Sequence, residues 1–182
     1  LSFHLGPKLQ MDSVLEGYNQ QVEDGLLVHS DWKNNGYRLF TVAGGIVGSS
    51  GGWFGGLWES GCYGIRKSDY LSMGGFDERF QSRGGGLVSL DFCQRALARR
   101  DLQYVMLLGE GTFHQFHGGV TSNAPMTQYP KEELHSEYAR IRGRQFERVP
   151  RRPFFIGALP DEALHIASAT AKAGFEHWQK RR

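Results

Sequence analysis

Apolar positions recur at helical spacing over residues 8–24, where Met11, Val14, Leu15, Tyr18 and Val22 form one stripe and Gly25 follows as a stop. After an Asn-Asn-Gly turn, Gly36–Val42 reads as a short strand, and Cys62–Arg66 as a second. Lys67–Met73 reads as a short helix ended by Gly74. Over residues 87–99 a clearer helix carries Leu87, Leu90, Gln94 and Leu97 along one face, with Ala96 beside them. Leu102–Leu108 is a strongly apolar strand, and 109–123 a loop rich in glycine and bearing histidines. Pro130 opens a helix with Leu134, Tyr138 and Ile141 on one side. The basic, twice-proline stretch 144–153 reads as a linker or strap, and Asp161 caps a last helix over 162–180, with Leu164, Ala167, Ala171, Phe175 and Trp178 aligned. The order predicts an α/β chain of mixed α+β character, without the regular alternation of a doubly wound sheet.

Composition narrows the class only a little. The chain of 182 residues is 40% hydrophobic and 13% aromatic, which suits a globular domain with a real core. A formal net charge of +2 is too small to argue for nucleic acid. Cys62 and Cys93 lack metal-type spacing and argue against a disulfide framework, so a reducing, cytoplasmic setting is expected. No apolar run approaches the roughly 20 residues that span a bilayer, and the start lacks a signal-peptide pattern. An opening on Leu1 rather than Met is what a fragment would show. Glycine is the outlier at 25 residues, clustered at 44–86 and 109–119, which marks irregular loops.

Three constellations could carry chemistry, and each has a plain reading beside it. Gly74-Gly75-Phe76-Asp77-Glu78-Arg79-Phe80 is on composition alone a helix stop and turn, with Phe76 and Phe80 as core anchors. Gly84-Gly85-Gly86 precedes a helix bearing Asp91 and Arg95 at i,i+4. That pair is plainly an exposed ion pair, or else a carboxylate facing a ligand at the helix start, with Gly85 and Gly86 leaving the ligand room. His114 and His117 lie three apart in a glycine-rich loop after a buried strand, a common place for metal and substrate ligands. A His-x-x-His spacing alone is a weak signal.

Taken in order, Glu59–Gly64, Gly74–Phe80, Gly84–Gly86, Asp91, Arg95, Tyr104–Leu108 and His114 resemble the acceptor-side half of GT-A fold glycosyltransferases of family 2. The match covers about residues 58–119. Gly109–Gly119, with Trp32 and Gly36–Phe40 upstream, also resembles a group of bacterial family 2 proteins. The resemblance implies the C-terminal portion of a nucleotide-diphospho-sugar transferase fold with peripheral helices. Residues 1–143 would be its acceptor and metal side, and 144–182 a basic linker and C-terminal helix packed on it.

The implied activity is metal-dependent transfer of a sugar from a nucleotide-diphosphate donor to an acceptor hydroxyl, as in polysaccharide biosynthesis. The location would be the cytoplasm or the inner face of the membrane. Mn²⁺ or Mg²⁺ would neutralise the leaving diphosphate, with His114 the first and His117 the second candidate ligand. A carboxylate on the helix after the glycine loop would be the general base; the family's usual one is absent, and Asp91 is the nearest surviving acid, with Asp77 and Glu78 as others. Trp53 and Trp58 would offer flat faces to a sugar, a role weighed evenly against packing, and Asp77, Glu78, Gly85, Gly86 and Arg95 would complete the substrate site. Two departures stand out. Val88 and Ser89 hold the places of the family's usual acidic pair, and no Asp-x-Asp occurs, so the partner expected is an N-terminal half that carries that motif. Two rivals remain: a non-catalytic, glycan- or partner-binding GT-A remnant, and a metal-dependent hydrolase built on His114 and His117, ranked last for want of a third ligand.

Overall fold

A computed structural model of the chain describes residues 1–45, 47–56, 61–117 and 129–180. The fold is mixed α/β. Strand β1 (Ser2–Leu5) is the middle of a three-stranded sheet, antiparallel to β2 (Ala43–Gly45) and parallel to β4 (Thr112–His114). A separate parallel pair joins β3 (Val105–Leu108) to β5 (Phe154–Gly157). The helices are α1 (Gln10–Leu15), α2 (Gln20–Ser30), α3 (Lys67–Ser72), α4 (Val88–Ala98), α5 (Lys131–Arg142) and α6 (Leu164–Gln179). Among the described residues no helix is long and apolar enough to cross a membrane.

Both faces of β1 are buried, and strand alternation gives them different jobs. Phe3, in register with Phe113, points into an aromatic core with Phe40, Trp53, Met106, Ala163 and Ala167. Its ring meets Phe40 edge-on at 5.3 Å and Trp53 at 5.6 Å, a geometry that adds to area burial. His4, in register with His114, takes the opposite face. A second core cluster of Phe80, Leu87, Leu134 and Tyr138 joins α4 to α5.

Several elements differ from the sequence expectation. The predicted helix 8–24 is two helices, because Gly17 takes a left-handed φ of 97° and Asn19 caps α2 by accepting the Val22 N–H at 3.2 Å. Of the predicted apolar stripe Tyr18 is buried, but Leu15 and Val22 are exposed, and the polar Gln10, Ser13 and Glu23 are buried in their stead. Gly36–Val42 is a 3₁₀ helix, not a strand. Asn35 caps it at the Tyr37 N–H, and a three-residue period stacks Tyr37 on Phe40 at 6.4 Å. Cys62–Arg66 forms no strand.

The C-terminal helix begins as a 3₁₀ turn, Asp161–Ala163, and then buries its small side, Ala167 and Gly174. A Cβ on Gly174 would sit 2.6 Å from the Phe54 backbone, so glycine lets α6 approach closely. Trp178 Nε1 then reaches the Phe54 carbonyl at 2.9 Å, while Leu164 and Phe175, expected on the buried face, are exposed. The basic stretch 144–153 is irregular, as expected for a strap. Val149 N–H donates to the Gln94 side-chain oxygen Oε1 at 2.6 Å, and the Arg151 guanidinium donates to the carbonyls of Leu97, Arg99 and Leu102. Arg151 therefore satisfies carbonyls at the end of α4, Leu97 and Arg99, together with Leu102 in the turn beyond it.

Candidate functional site

Strand β4 ends on His114, and the chain turns back so that His117 Nε2 lies 3.1 Å from His114 Nε2, one donating to the other according to tautomer. His114 is half-buried and His117 exposed. The turn is anchored from α2. Glu23, only 1% exposed, accepts the Phe116 N–H at 2.8 Å and the Tyr18 hydroxyl at 3.2 Å, both on Oε2. Burial first, and then the Glu23 charge, raise the Tyr18 pKa, so its proton stays in this bond. The Tyr18 ring also lies edge-on to His4 at 4.4 Å.

His4 is fully buried, and neither ring nitrogen has a hydrogen-bond partner among the described residues. Burial, and secondarily the charge on His114, push its pKa down from 6.5 to about 4. The sign follows from linkage: between those values the unfolded chain binds a proton that the folded chain refuses. Stability present above pH 6.5 is therefore lost as pH falls toward 4. Urea titrations should show the metal-free protein losing about 2 kcal/mol more between pH 7 and pH 5 than His4→Leu. An equal loss in both proteins would remove His4 as the cause.

The acidic candidates sit elsewhere, between α4 and α5. Asp91 is 1% exposed. Arg142 donates to Asp91 Oδ1 at 2.7 Å and to Oδ2 at 2.6 Å, and Arg95 Nε donates to Oδ2 at 2.9 Å. The remaining Arg95 donors reach the carbonyls of Met73 and Gly75, both at 2.6 Å. Arg142 also pairs with Asp77 at 2.9 Å. The Asp77 carboxyl is held far below its ordinary pKa, first by its bond from Arg79 and further by the charge of Arg142. The plain reading of Asp91 and Arg95 as an exposed pair does not hold: the network is buried at its centre and clamps the Gly74–Phe80 turn onto α4. Both Asp91 oxygens are engaged, which is the geometry of an anchor and not of a base open to an acceptor hydroxyl. Glu78 is exposed, and its carboxylate takes part in none of these pairs.

The glycine loop is occupied by a protein carboxylate. Glu137, from α5, accepts the N–H groups of Gln81 at 2.7 Å and Ser82 at 2.8 Å on Oε1. Burial pushes its pKa up, but these backbone bonds outweigh burial and hold it below the ordinary value. Gly85 and Gly86 have left-handed φ values of 80° and 57°, and a Cβ on Gly86 would lie 2.6 Å from Glu137 Oε2. The room that the sequence offered to a ligand at Gly86 is thus taken up by Glu137.

Trp53, expected to face a sugar, is 0% exposed; its Nε1–H donates to the Glu110 carbonyl at 2.9 Å and its ring packs on Phe3 and Phe40. Trp53 is a core residue, because an indole inside the aromatic cluster removes far more apolar area from water than one on a loop. Trp58 lies outside the described residues. Sequence reasoning missed His4, Glu23, Glu137 and Arg142. Glu23 and Arg142 lay inside predicted helices, where the pattern of apolar residues gives no sign that a charged side chain turns inward.

The histidine pair fits a share of a divalent cation. Two imidazole nitrogens about 3 Å apart can both lie near 2 Å from one ion. Among the described residues no group of three or more His, Cys, Asp or Glu side chains is placed to hold a metal. Of the described residues, the pair would supply two ligands to such an ion. Comparison with protein-family models, curated proteins and solved structures finds no match for this chain.

Proposed function

We propose that this chain is the acceptor-side part of a GT-A, family 2-like glycosyltransferase that moves a sugar from a nucleotide-diphosphate donor to a carbohydrate hydroxyl. The observation that carries the reading is the convergence of His114 and His117 at the end of β4, with Glu23 holding the turn between them. In this reading the two imidazoles would hold Mn²⁺ or Mg²⁺. When bound, the cation neutralises charge on the leaving diphosphate. An N-terminal half with an Asp-x-Asp motif contributes the remaining donor contacts, and the chain acts in the cytoplasm or at the inner face of the membrane.

The chain's own residues do the rest. Asp91 orients Arg95, which fixes the Gly74–Phe80 turn through the Met73 and Gly75 carbonyls. That turn presents Glu78 to solvent, and Glu78 takes the base role in the proposal, since Asp91 and Asp77 are both tied to guanidinium groups. A carboxylate outside the guanidinium pairs keeps an oxygen open to an acceptor hydroxyl, which general-base work needs. A second reading, a non-catalytic GT-A remnant that binds a glycan or partner, is favoured by one observation: Asp91, the acid nearest the places where the family keeps its acidic pair, is sealed in an ion network.

The test gives the full-length protein Mn²⁺ and a panel of nucleotide sugars, and measures nucleotide diphosphate release with and without acceptor. Release with one donor supports the transferase; glycan binding with no release from any donor supports the remnant. In the transferase, His114→Ala is expected to weaken Mn²⁺-dependent donor binding by about tenfold or more, since removal of even an outer-shell partner costs that much. Unchanged donor affinity in a folded His114→Ala protein would take His114 out of the site.

A further inference from the structure

We infer that Glu23, with Tyr18 behind it, is the positioning residue that sets the spacing of His114 and His117. A carboxylate 1% exposed is costly to bury, and Glu23 spends its position on two neutral donors, the Phe116 N–H and the Tyr18 hydroxyl, with no cation in ion-pair contact among the described residues. Phe116 lies between the two histidines. The β1–β4 ladder stops at the His4–His114 pair, so it cannot hold the backbone beyond His114. The bond from Phe116 to Glu23 reaches across 93 residues and ties that backbone to α2. The Tyr18 ring packs on Phe116 at 5.7 Å, and its hydroxyl fixes the carboxylate rotamer. With one end of the turn on β4 and the other on α2, the imidazoles meet at 3.1 Å.

The consequence for metal affinity rests on the cation reading of the pair; the positioning itself is read without metal. Two measurements therefore run side by side on wild type, Glu23→Gln, Glu23→Ala and Tyr18→Phe. In the metal-free proteins, NMR follows amide exchange at Phe116 and the ring resonances of His114 and His117 at fixed pH. Loss of a bond to a charged group should speed Phe116 exchange in Glu23→Ala by about ten- to hundredfold and shift both imidazoles, while Glu23→Gln, which keeps a carbonyl acceptor, stays near wild type. Tyr18→Phe should fall between them.

Titration with Mn²⁺, read by electron paramagnetic resonance of the free ion, should show affinity falling by about ten- to hundredfold in Glu23→Ala and recovering in Glu23→Gln. A folded Glu23→Ala with wild-type Phe116 exchange and unshifted imidazoles would overturn the inference. Should Glu23→Ala not fold, Glu23→Asp, which draws the carboxylate back by one methylene, is read against the same criteria. If no protein binds Mn²⁺ yet Phe116 exchange and the imidazoles respond as expected, the positioning stands and the cation reading fails.

Discussion

Asp91→Ala is expected to destabilise the fold by about 3–5 kcal/mol, measured by urea unfolding, because removing one partner of a buried ion network strands the others. Asp91 receives three guanidinium bonds, from Arg95 and Arg142. Without it, Arg142 is left with the Asp77 carboxylate and the Phe80 ring, and Arg95 with the two carbonyls of the glycine turn and the Phe92 ring, among the described residues. Asp91→Asn, which can accept from one guanidinium, should fall between wild type and alanine. The prediction separates an anchor from a base. A solvent-facing base removed by mutation lowers turnover while stability stays within about 0.5 kcal/mol. A small stability change in Asp91→Ala would therefore contradict the network described above and restore Asp91 as the general base.

Trp53→Ala should cost a similar amount, about 3–5 kcal/mol, the range for emptying the place of a large core aromatic. The side chain is 0% exposed between Phe3 and Phe40, and its loss also leaves the Glu110 carbonyl without the indole N–H. Trp53→Phe keeps much of the apolar area and should cost less, with the lost hydrogen bond as the remaining part. The informative measurement pairs thermal unfolding with glycan binding. A folded Trp53→Phe protein that binds glycan as wild type does agrees with a core role. A selective loss of glycan binding with unchanged stability would return Trp53 to the sugar site.

The helices α4 and α5 were legible because apolar residues recur at helical spacing along them, although Asp91, Gln94 and Glu137 are buried beside those residues. Leu134 and Tyr138 of α5 are buried where the spacing predicts, and α4 and α3 fall within a residue or two of their expected ends. The misread segments share a cause: packing overrode the local pattern. Tyr37 and Phe40 stack at a three-residue period in a 3₁₀ helix, although Gly36–Val42 looks strand-like in isolation. In α6 the buried side is the one with small residues, because Gly174 admits the Phe54 backbone, and no hydrophobicity pattern marks a face chosen for closeness. The short strands β1, β2 and β4 were missed because three or four residues carry too little period, and because β1 is buried on both faces and so does not alternate.

The candidate site divides the same way. By itself the sequence determined the chemistry that is local: two histidines three apart after an apolar strand, a Gly-Gly turn with two acids, and an Asp-Arg pair one helical turn apart. Those relations depend on spacing alone. Only the tertiary structure decided what each residue faces. It sealed Asp91 with Arg142, 51 residues away, and seated Glu137 in the glycine loop. It buried Trp53 and brought Glu23 across to the turn between the histidines. Side-chain charge and burial are set by contacts between distant segments, and a linear pattern records which residues are polar but not which polar residues must pair inside.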